Sequence, residues 1–307
     1  MKVYRSIEEF KPVNHPIVTI GTFDGVHLGH KAIFEQMKKD AAQCGGETVL
    51  ITFSPHPRLV LYKDSKNLKF INTQSKKLER IEKSGIDHLI IIPFTKEFSK
   101  NSSEEFISSY VVKHVHPEII IIGYDHHFGK NREGNIQLLE SLKKKYHYDV
   151  VQVPPFYVDG QPVSSTRIRN LLQSGNLKEA NRMLGYEYAI TGEVVRGNTI
   201  GHKLGFPTAN IKISNEFKLI AANGVYACRA LIEGKMYKGM SNIGVRPTID
   251  HGDLTIEINI FDFDQDIYGE TITIFFVDRL RDEKKFENLD ALKEQLFRDK
   301  EQSLSIL

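Results

Sequence analysis

Short, almost continuous apolar runs alternate with amphipathic stretches of helical spacing through about residue 185. These runs are PIVTIG, TVLITF, HLIIIPF, EIIIIG and DVVQVPPF. Strands that are apolar on both sides and are separated by helices are typical of a parallel sheet covered on both faces. We therefore predict an α/β domain over residues 1–185. Ligands of such sheets bind beyond the carboxyl ends of the strands.

The pattern changes near residue 188, where strand-like segments follow one another with glycine or Asn/Asp turns between them. These segments are AITGEVVRG, GVYACRALI, KMYKGMSNIG, LTIEINIFDF and ETITIFFVDRL. They predict an antiparallel barrel or sandwich over residues 186–307, which ends in an amphipathic helix within NLDALKEQLFRDKEQSLSIL.

Composition excludes some partners. The 307 residues carry a formal net charge of +2, which is too small to indicate a nucleic-acid binder. We find no apolar segment long enough to span a bilayer and no signal peptide, so we expect no membrane partner. Cys44 and Cys228 lie far apart in the sequence and need not pair. We therefore expect a cytoplasmic protein that is a monomer or a weak oligomer.

The segment GTFDGVHLGH, residues 21–30, joins the first apolar run to an amphipathic helix. The backbone N–H groups and dipole at such a helix start favour an anion. His27 and His30 are too few to hold zinc, which takes four ligands as a rule. One histidine capping the helix while the other packs on it is the structural alternative. Gly29 between them favours phosphate binding, because its missing side chain lets a ligand approach the backbone.

Other polar motifs follow later strands. FSPHP contains Phe53, which can stack on a planar ring, although a rigid turn explains this motif equally well. GYDHHFG places Asp125 at a strand end. In SSTRIRNLL, Ser164 or Ser165 would cap a helix. Capping does not explain Arg167 and Arg169, since cations are unfavourable at a helix N-terminus unless an anion such as a triphosphate binds there.

Together, H-x-G-H after the first strand and SSTRIR at a later helix start resemble the HxGH nucleotidyltransferase superfamily. With FSPHP and GYDHHFG, the resemblance is to the bifunctional bacterial riboflavin kinase/FMN adenylyltransferase family, also called FAD synthetase. It implies a Rossmann-like domain that transfers AMP from ATP to FMN and releases pyrophosphate. His27 and His30 would stabilise the α-phosphoryl transition state.

The resemblance also implies the remaining residues of this first site. The nucleotide-binding residues would be Gly21, Phe23, Asp24, Gly29, Asp125, Ser164, Ser165, Thr166, Arg167 and Arg169. Those on the flavin side would be Phe53, Pro55, His56 and Phe128. The chain departs from the family pattern at His126 and His127, where an aromatic and a basic or polar residue are usual.

The segment GNTIGHKLGFPTAN does not fit a Walker A motif, because three residues separate Gly197 from Gly201 and Leu204 follows Lys203. A glycine-rich loop can still bind phosphates through backbone N–H groups. Thr208 and Asn210 offer hard oxygen ligands suited to Mg²⁺. On this segment alone, an ordinary strand entry is the preferred interpretation.

The segments NGVYA, NIGVRPT, EINIFDFDQDIYG and RLRDEKKF resemble the riboflavin kinase domain of the same family. That domain is an antiparallel barrel that transfers the γ-phosphate of ATP to the 5′-hydroxyl of riboflavin. The resemblance makes Glu257 the general base and Thr208 and Asn210 the Mg²⁺ site. Gly201, Lys203 and Gly205 would bind nucleotide. Flavin would contact Arg279, Asp282, Glu283 and Phe286.

The sequence thus predicts an enzyme with riboflavin, FMN and ATP as substrates, FMN and FAD as products, and Mg²⁺ as its metal ion. Three alternatives remain at this level. They are a chain in which only one half is active, a flavin-sensing regulator that binds without turnover, and an enzyme whose adenylyl acceptor differs from FMN. The presence of His27, His30 and Glu257 together argues against a pure sensor.

Overall fold

The computed structural model describes residues 1–62, 68–197, 201, 204–245 and 254–307. It divides into two compact units, residues 1–165 and 166–307. The segment from Thr166 to Leu184, which the change of pattern assigns to the first domain, belongs to the second unit by this division. The boundary at 185/186 stays a prediction about where the two functional regions meet.

Within the described part of the first unit, the main sheet has six strands in the order β1-β4-β3-β2-β5-β6. All of its neighbouring strands are parallel. The strands are β1 Lys2–Tyr4, β2 Ile17–Ile20, β3 Thr48–Ser54, β4 His88–Pro93, β5 Ile119–Gly123 and β6 Asp149–Val153. The predicted parallel sheet is confirmed.

Helices cover both faces of this sheet. They are α1 Leu28–Cys44, α2 Pro57–Leu61, α3 Gln74–Lys83, α4 Ser103–Phe106, α5 Lys113–Val115 and α6 Ile136–Tyr146. A π-helical turn, Ile107–Val112, joins α4 to α5, and a small hairpin pairs β7 Tyr157–Val158 with β8 Gln161–Pro162. Alternate residues of one strand enter different cores, as Val49 and Leu50 do. Burial on both faces explains why the strands read as continuous apolar runs.

The second unit is a closed antiparallel barrel in the described residues, in the order β10-β13-β12-β11-β14-β9. The predicted barrel is confirmed, and the sandwich alternative is wrong because the sheet closes on itself. Its strands are β9 Tyr188–Val195, β10 Ala209–Lys212, β11 Gly224–Ile232, β12 Lys235–Val245, β13 Leu254–Ile260 and β14 Thr271–Arg281. Tyr188, Tyr226 and Phe276 are fully buried.

Three helices flank the barrel strands in the sequence. They are α7 Ser165–Gln173, α8 Leu177–Leu184 and the C-terminal α9 Leu289–Ile306, which is the terminal helix expected from the sequence. Arg281 at the end of β14 forms a bidentate ion pair with the buried Asp299 of α9, with bonds of 2.7 and 3.0 Å. This pair fixes α9 against the barrel.

Two further features bear on the expectations from composition. Among the described residues, no helix combines the length and the apolar character that crossing a membrane requires. Cys44 and Cys228 are both free thiols. Cys228 lies fully buried in β11, and its burial raises the pKa of the thiol.

Candidate functional site

The turn after β2 brings His27 and His30 into direct contact. His27 caps α1, because its Nδ1 accepts a hydrogen bond from the backbone N–H of His30 at 3.3 Å. The two imidazole rings stack with centroids 3.6 Å apart. The capping alternative therefore describes part of the geometry, but it leaves Nε2 of His27 and both ring nitrogens of His30 for other partners.

Ser165, the first residue of α7, fixes the protonation of His27. The Ser165 hydroxyl donates to the backbone carbonyl of Asp24 at 2.9 Å, so it can only accept from Nε2 of His27, which lies 3.2 Å away. His27 is thereby held as the neutral tautomer with its proton on Nε2. Ser165 was expected as a possible helix cap, and the structure instead uses its hydroxyl to join the helix start to the His27 turn.

His30 is held as a neutral imidazole. Burial lowers its pKa well below the ordinary value, and electrostatic coupling to the basic side chains His27, Lys77 and His126 lowers the pKa further. Its ring meets the edge of Phe23 at 5.1 Å. Its Nδ1 is buried and has no hydrogen-bond partner within the described residues. A buried imidazole nitrogen without a partner is costly, so a ligand group that hydrogen-bonds to it would be favoured at this point.

Lys77 is a member of this site that the sequence did not reveal. It projects from the buried face of α3, where its Nζ donates to the Thr22 carbonyl and the Thr52 hydroxyl, both at 3.2 Å. Burial lowers the pKa of Lys77 to about 8, and the nearby Asp24 carboxylate opposes that shift. One signal was available: Lys77 precedes Ile81 by one helical turn and thus places a charge within an apolar stripe.

Two glycines of the motif let side chains lie against the backbone. A side chain at Gly21 would collide with the ring of Phe23, and one at Gly29 would press on the ring of His27. Asp24, expected to bind nucleotide, directs its buried carboxylate at the backbone N–H groups of Ile71 and Asn72, at 3.0 and 3.3 Å. Its observed contacts hold the turn in place.

Of the residues expected on the flavin side, Phe53 and Phe128 belong to an aromatic cluster near the ends of β3 and β5. Phe106 joins them, because its ring lies 6.2 Å from Phe53 and 6.1 Å from the buried Phe128. The sequence did not single out Phe106. Pro55 follows Phe53 in a loop that leads to His56, whose Nδ1 accepts from the Arg58 N–H to cap α2.

The remaining residues of the first set lie outside the histidine contacts described above. Asp125 is exposed after β5, and Ser164 is partly buried before α7. Arg169 donates to the Thr166 hydroxyl at 3.3 Å, and Arg167 lies 3.8 Å from Glu179. Thr166, Arg167 and Arg169 fall in the second unit, and the contacts named here for them are internal to that unit.

Glu257 lies at the centre of a polar cluster on the barrel. On β13 it faces Asn210 of β10 on one side and Asn242 of β12 on the other. The Thr208 hydroxyl donates to the Glu257 carboxylate at 3.4 Å. Ile256 and Ile258 are buried while Glu257 is partly exposed, as its alternation with them predicts. The structure thus brings Thr208, Asn210 and Glu257 together.

The glycine-rich loop before β10 is only partly described. Gly201 accepts backbone hydrogen bonds from Leu204 and Phe206, and Gly205 has a φ of +82°, a conformation that favours glycine. Lys203 lies outside the described residues, as do His202 and the end of the NIGVRPT motif.

The segment after β14 carries the other expected flavin residues. Arg279 forms an ion pair with Asp282. Glu283 accepts from the Asn242 amide at 3.2 Å, which ties this segment to the strand beside Glu257. Phe286 is partly exposed, with the Arg281 guanidinium 5.8 Å from its ring centre. Asn242 thus connects the segment after β14 to the strand beside Glu257, and no local pattern in the sequence singles it out.

Comparisons with known proteins also divide the chain into two regions. The family model described as FAD synthetase matches residues 11–167, and the one described as riboflavin kinase matches residues 184–307. A bifunctional riboflavin kinase/FMN adenylyltransferase of Buchnera aphidicola is 36% identical, with 97% of this chain and 96% of the relative covered. The enzyme of that name from Listeria monocytogenes is 37% identical over 96% of this chain and 93% of its own length.

A crystal structure from Streptococcus pneumoniae, described as a macrolide-efflux protein, has the same fold. Its TM-score is 0.89 at 32% identity, and 98% of each chain is covered. From the two family models and the full-length relatives, the chain belongs to the bifunctional riboflavin kinase/FMN adenylyltransferase family.

Proposed function

We propose that this bifunctional flavin enzyme makes FMN at the Glu257 cluster of its barrel and FAD at the histidine pair of its parallel sheet. Riboflavin, FMN and ATP are its substrates, as its family membership establishes. The observation that carries the two-site assignment is that each family region contains its own polar cluster, one basic and one built of oxygen donors.

In FAD formation, a phosphate oxygen of FMN attacks the α-phosphorus of ATP, and the bond to the bridging oxygen breaks to release pyrophosphate. His27 and His30 stabilise the negative charge that builds on the α-phosphoryl group. The neutral state of His30 and its unpartnered Nδ1 support this role, because the neutral ring can donate a hydrogen bond from that nitrogen as the charge develops.

Further residues bind the nucleotide and the flavin in this proposal. Ser165, Thr166 and Arg169 hold the β- and γ-phosphates, and Lys77 adds positive charge beside His30. The aromatic cluster of Phe53, Phe106 and Phe128 lies beside the strand ends where the flavin ring would bind.

In FMN formation, the Glu257 carboxylate accepts the proton of the riboflavin 5′-hydroxyl while that oxygen attacks the γ-phosphorus and ADP leaves. Glu257 is partly exposed on its strand, so a substrate hydroxyl can reach it. Asn242 positions Glu283 next to this site, and the Arg279–Asp282 pair orders the segment that would cover the flavin.

The residues around Glu257 fit Mg²⁺. A hydroxyl from Thr208, an amide from Asn210 and the neighbouring carboxylate of Glu257 are all hard oxygen donors, which Mg²⁺ prefers. Thr208 and Asn210 would hold the ion, and it would neutralise charge on the ATP phosphates when bound.

The setting of the enzyme is also part of the proposal. We propose a cytoplasmic monomer or weak oligomer that has neither a nucleic-acid nor a membrane partner. The small net charge and the free thiols support this setting. We also propose that residues 1–185 form the functional adenylyltransferase region and 186–307 the kinase region, because the riboflavin kinase match begins at residue 184.

One assay tests the two activities. Purified protein is incubated with riboflavin, ATP and Mg²⁺, and the flavins are resolved by chromatography over time. FMN that appears first and then gives way to FAD supports both activities. FMN alone, with supplied FMN left unconverted, would restrict activity to the barrel. No product from either flavin would contradict the proposal and favour a binding protein.

A further inference from the structure

The loop after β5 brings a third imidazole towards the histidine pair. The backbone N–H of His126 donates to the Gly123 carbonyl at 3.2 Å, so the chain turns back at the end of the strand. The ring of His126 stacks against Phe128 with centroids 5.8 Å apart and planes 27° apart. A charge on His126 acts on His30, so the two rings share one electrostatic environment.

The side chain of His126 has an unmet hydrogen-bonding requirement. Its Nε2 is buried and has no hydrogen-bond partner among the residues that the structure describes, and the same holds for Nδ1 of His30. Leaving one buried polar nitrogen unpaired is costly, and two within one electrostatic cluster are rarer still. A polar ligand that enters between them would satisfy both.

The surroundings specify the charge of that ligand. Basic groups act on the two rings from three directions: His27 from α1, Lys77 from α3, and His127 and Arg132 from the loop of His126 itself. Of the acidic groups nearby, Asp24 is occupied by backbone N–H groups and lies beside Lys77, and Asp125 is exposed. Such a cluster favours an anion.

We propose that His126 is a further substrate-binding residue of the adenylyltransferase site, where its Nε2 hydrogen-bonds a phosphate oxygen of ATP or FMN next to His30. This inference rests on the proposed FAD-forming function of the histidine pair. It adds a residue outside the H-x-G-H motif, at a position where this chain departs from its family.

Protonation strengthens this contact when the substrate binds. Without ligand, burial lowers the pKa of His126 to about 4, with a smaller contribution from the neighbouring basic side chains His127 and Arg132, so the ring is neutral near neutral pH. An anion a few Å away raises a histidine pKa by about 1–3 units. The pKa of His126 in the bound state therefore lies at about 5–7, and substrate affinity at this site rises as the pH falls from about 7 towards about 5.

Two substitutions separate phosphate binding from packing. His126→Phe keeps the ring that stacks on Phe128 but removes the hydrogen-bond donor, whereas His126→Gln keeps a donor and loses the ring. We expect His126→Phe to raise the KM for ATP or for FMN in FAD formation about tenfold, and His126→Gln to stay within about threefold of the wild type. His114→Phe, on α5 and outside this cluster, is the control and leaves both constants unchanged.

The substrate whose KM rises identifies the source of the phosphate oxygen. Between about pH 7 and about pH 5 that KM falls more steeply in the wild type than in His126→Gln, since the amide does not titrate and the effects of the other groups are common to both proteins. If His126 served only to pack on Phe128, the order would reverse, with Phe tolerated and Gln impaired. Equal KM values in all three variants would also overturn the inference.

Equilibrium binding of ATP and of FMN, measured by calorimetry on the full chain, reports the same order of affinities without turnover. A wild-type protein that forms no FAD would contradict the proposed function. A wild-type protein that forms FAD, with unimpaired binding in His126→Phe, would contradict only the assignment of His126.

Discussion

The two proposed sites face the same accumulation of negative charge, but one is built of basic side chains and the other of oxygen donors. Both reactions concentrate negative charge on a transferring phosphoryl group. At the sheet site the polar groups are bases, with His27, His30 and Lys77 gathered beyond the strand ends. At the barrel site they are the oxygen donors of Thr208, Asn210 and Glu257.

Because the two sites are built from different groups, they differ in what they need from a bound substrate or ion. The crowded bases of the sheet site depress one another's charge, and the pKa values of His30 and Lys77 both lie below their ordinary values. An arriving anion relieves that crowding directly. The oxygen donors of the barrel site cannot stabilise phosphate themselves and would require a cation between them and the nucleotide. On the proposed assignment, the sheet site would attract phosphate with its own side chains, whereas the barrel site would depend on Mg²⁺.

The largest expected effect concerns His30. We expect His30→Ala to slow FAD formation from supplied FMN about 10³-fold, because one transition-state donor is lost. FMN formation from riboflavin should stay within about twofold of the wild type, since the barrel contains its own site. Chromatographic rates of both reactions measure this. His114→Ala, a histidine substitution on α5, is the control, and equal damage to both reactions in a folded His30→Ala protein would break the two-site comparison.

For Glu257 we expect the reverse pattern, with FMN formation impaired and FAD formation retained. Glu257→Gln keeps the shape of the side chain but removes the base, so FMN formation should fall about 10²-fold. FAD formation from supplied FMN should be unaffected. Glu193→Gln changes an exposed carboxylate on β9 of the same barrel and should alter neither rate. A Glu257→Gln enzyme that retains full kinase activity would show that this carboxylate is not the base.

Much of this comparison was present in the sequence, because it depends on local patterns. Continuous apolar runs predicted the parallel sheet, and alternation predicted both the barrel strands and the partly exposed position of Glu257. The sequence left capping and phosphate binding as alternatives for the histidine pair. In the structure His27 caps with one ring nitrogen and contacts Ser165 with the other, so capping does not exclude the second role.

The rest depends on contacts between distant segments. Lys77 reaches Thr22 and Thr52 only because α3 packs over the ends of two strands. Asn242 lies beside Glu257 through the register of β12 on β13, which no local pattern specifies. Asp24 is the opposite case. Its motif suggested nucleotide binding, and in the structure its carboxylate accepts a hydrogen bond from the backbone N–H of Ile71, 47 residues later in the chain.

The burial of Lys77 at the sheet site can be tested through the pH dependence of the free energy of unfolding. Its pKa is about 8 in the folded protein and near 10.5 in an unfolded chain, so the unfolded state binds more protons between these pH values. The contribution of Lys77 to the free energy of unfolding should therefore rise by about 3 kcal/mol from pH 8 to pH 10.5. We expect Lys77→Met to lack this rise, which urea unfolding of both proteins across that range measures. Parallel pH dependence in the two proteins would show that Lys77 is not desolvated.

The smallest expected effect tests the metal dependence of the barrel. Thr208→Ala removes one oxygen donor beside Glu257, so we expect the Mg²⁺ concentration for half-maximal FMN formation to rise about tenfold. The maximal rate should recover at high Mg²⁺, because Asn210 and the nucleotide phosphates still bind the ion. FAD formation, measured in the same Mg²⁺ titration, should follow the wild-type curve. A shift of both curves would mean that Thr208 supports the fold in general, whereas a shift in the kinase curve alone ties the metal to the oxygen donors of the barrel.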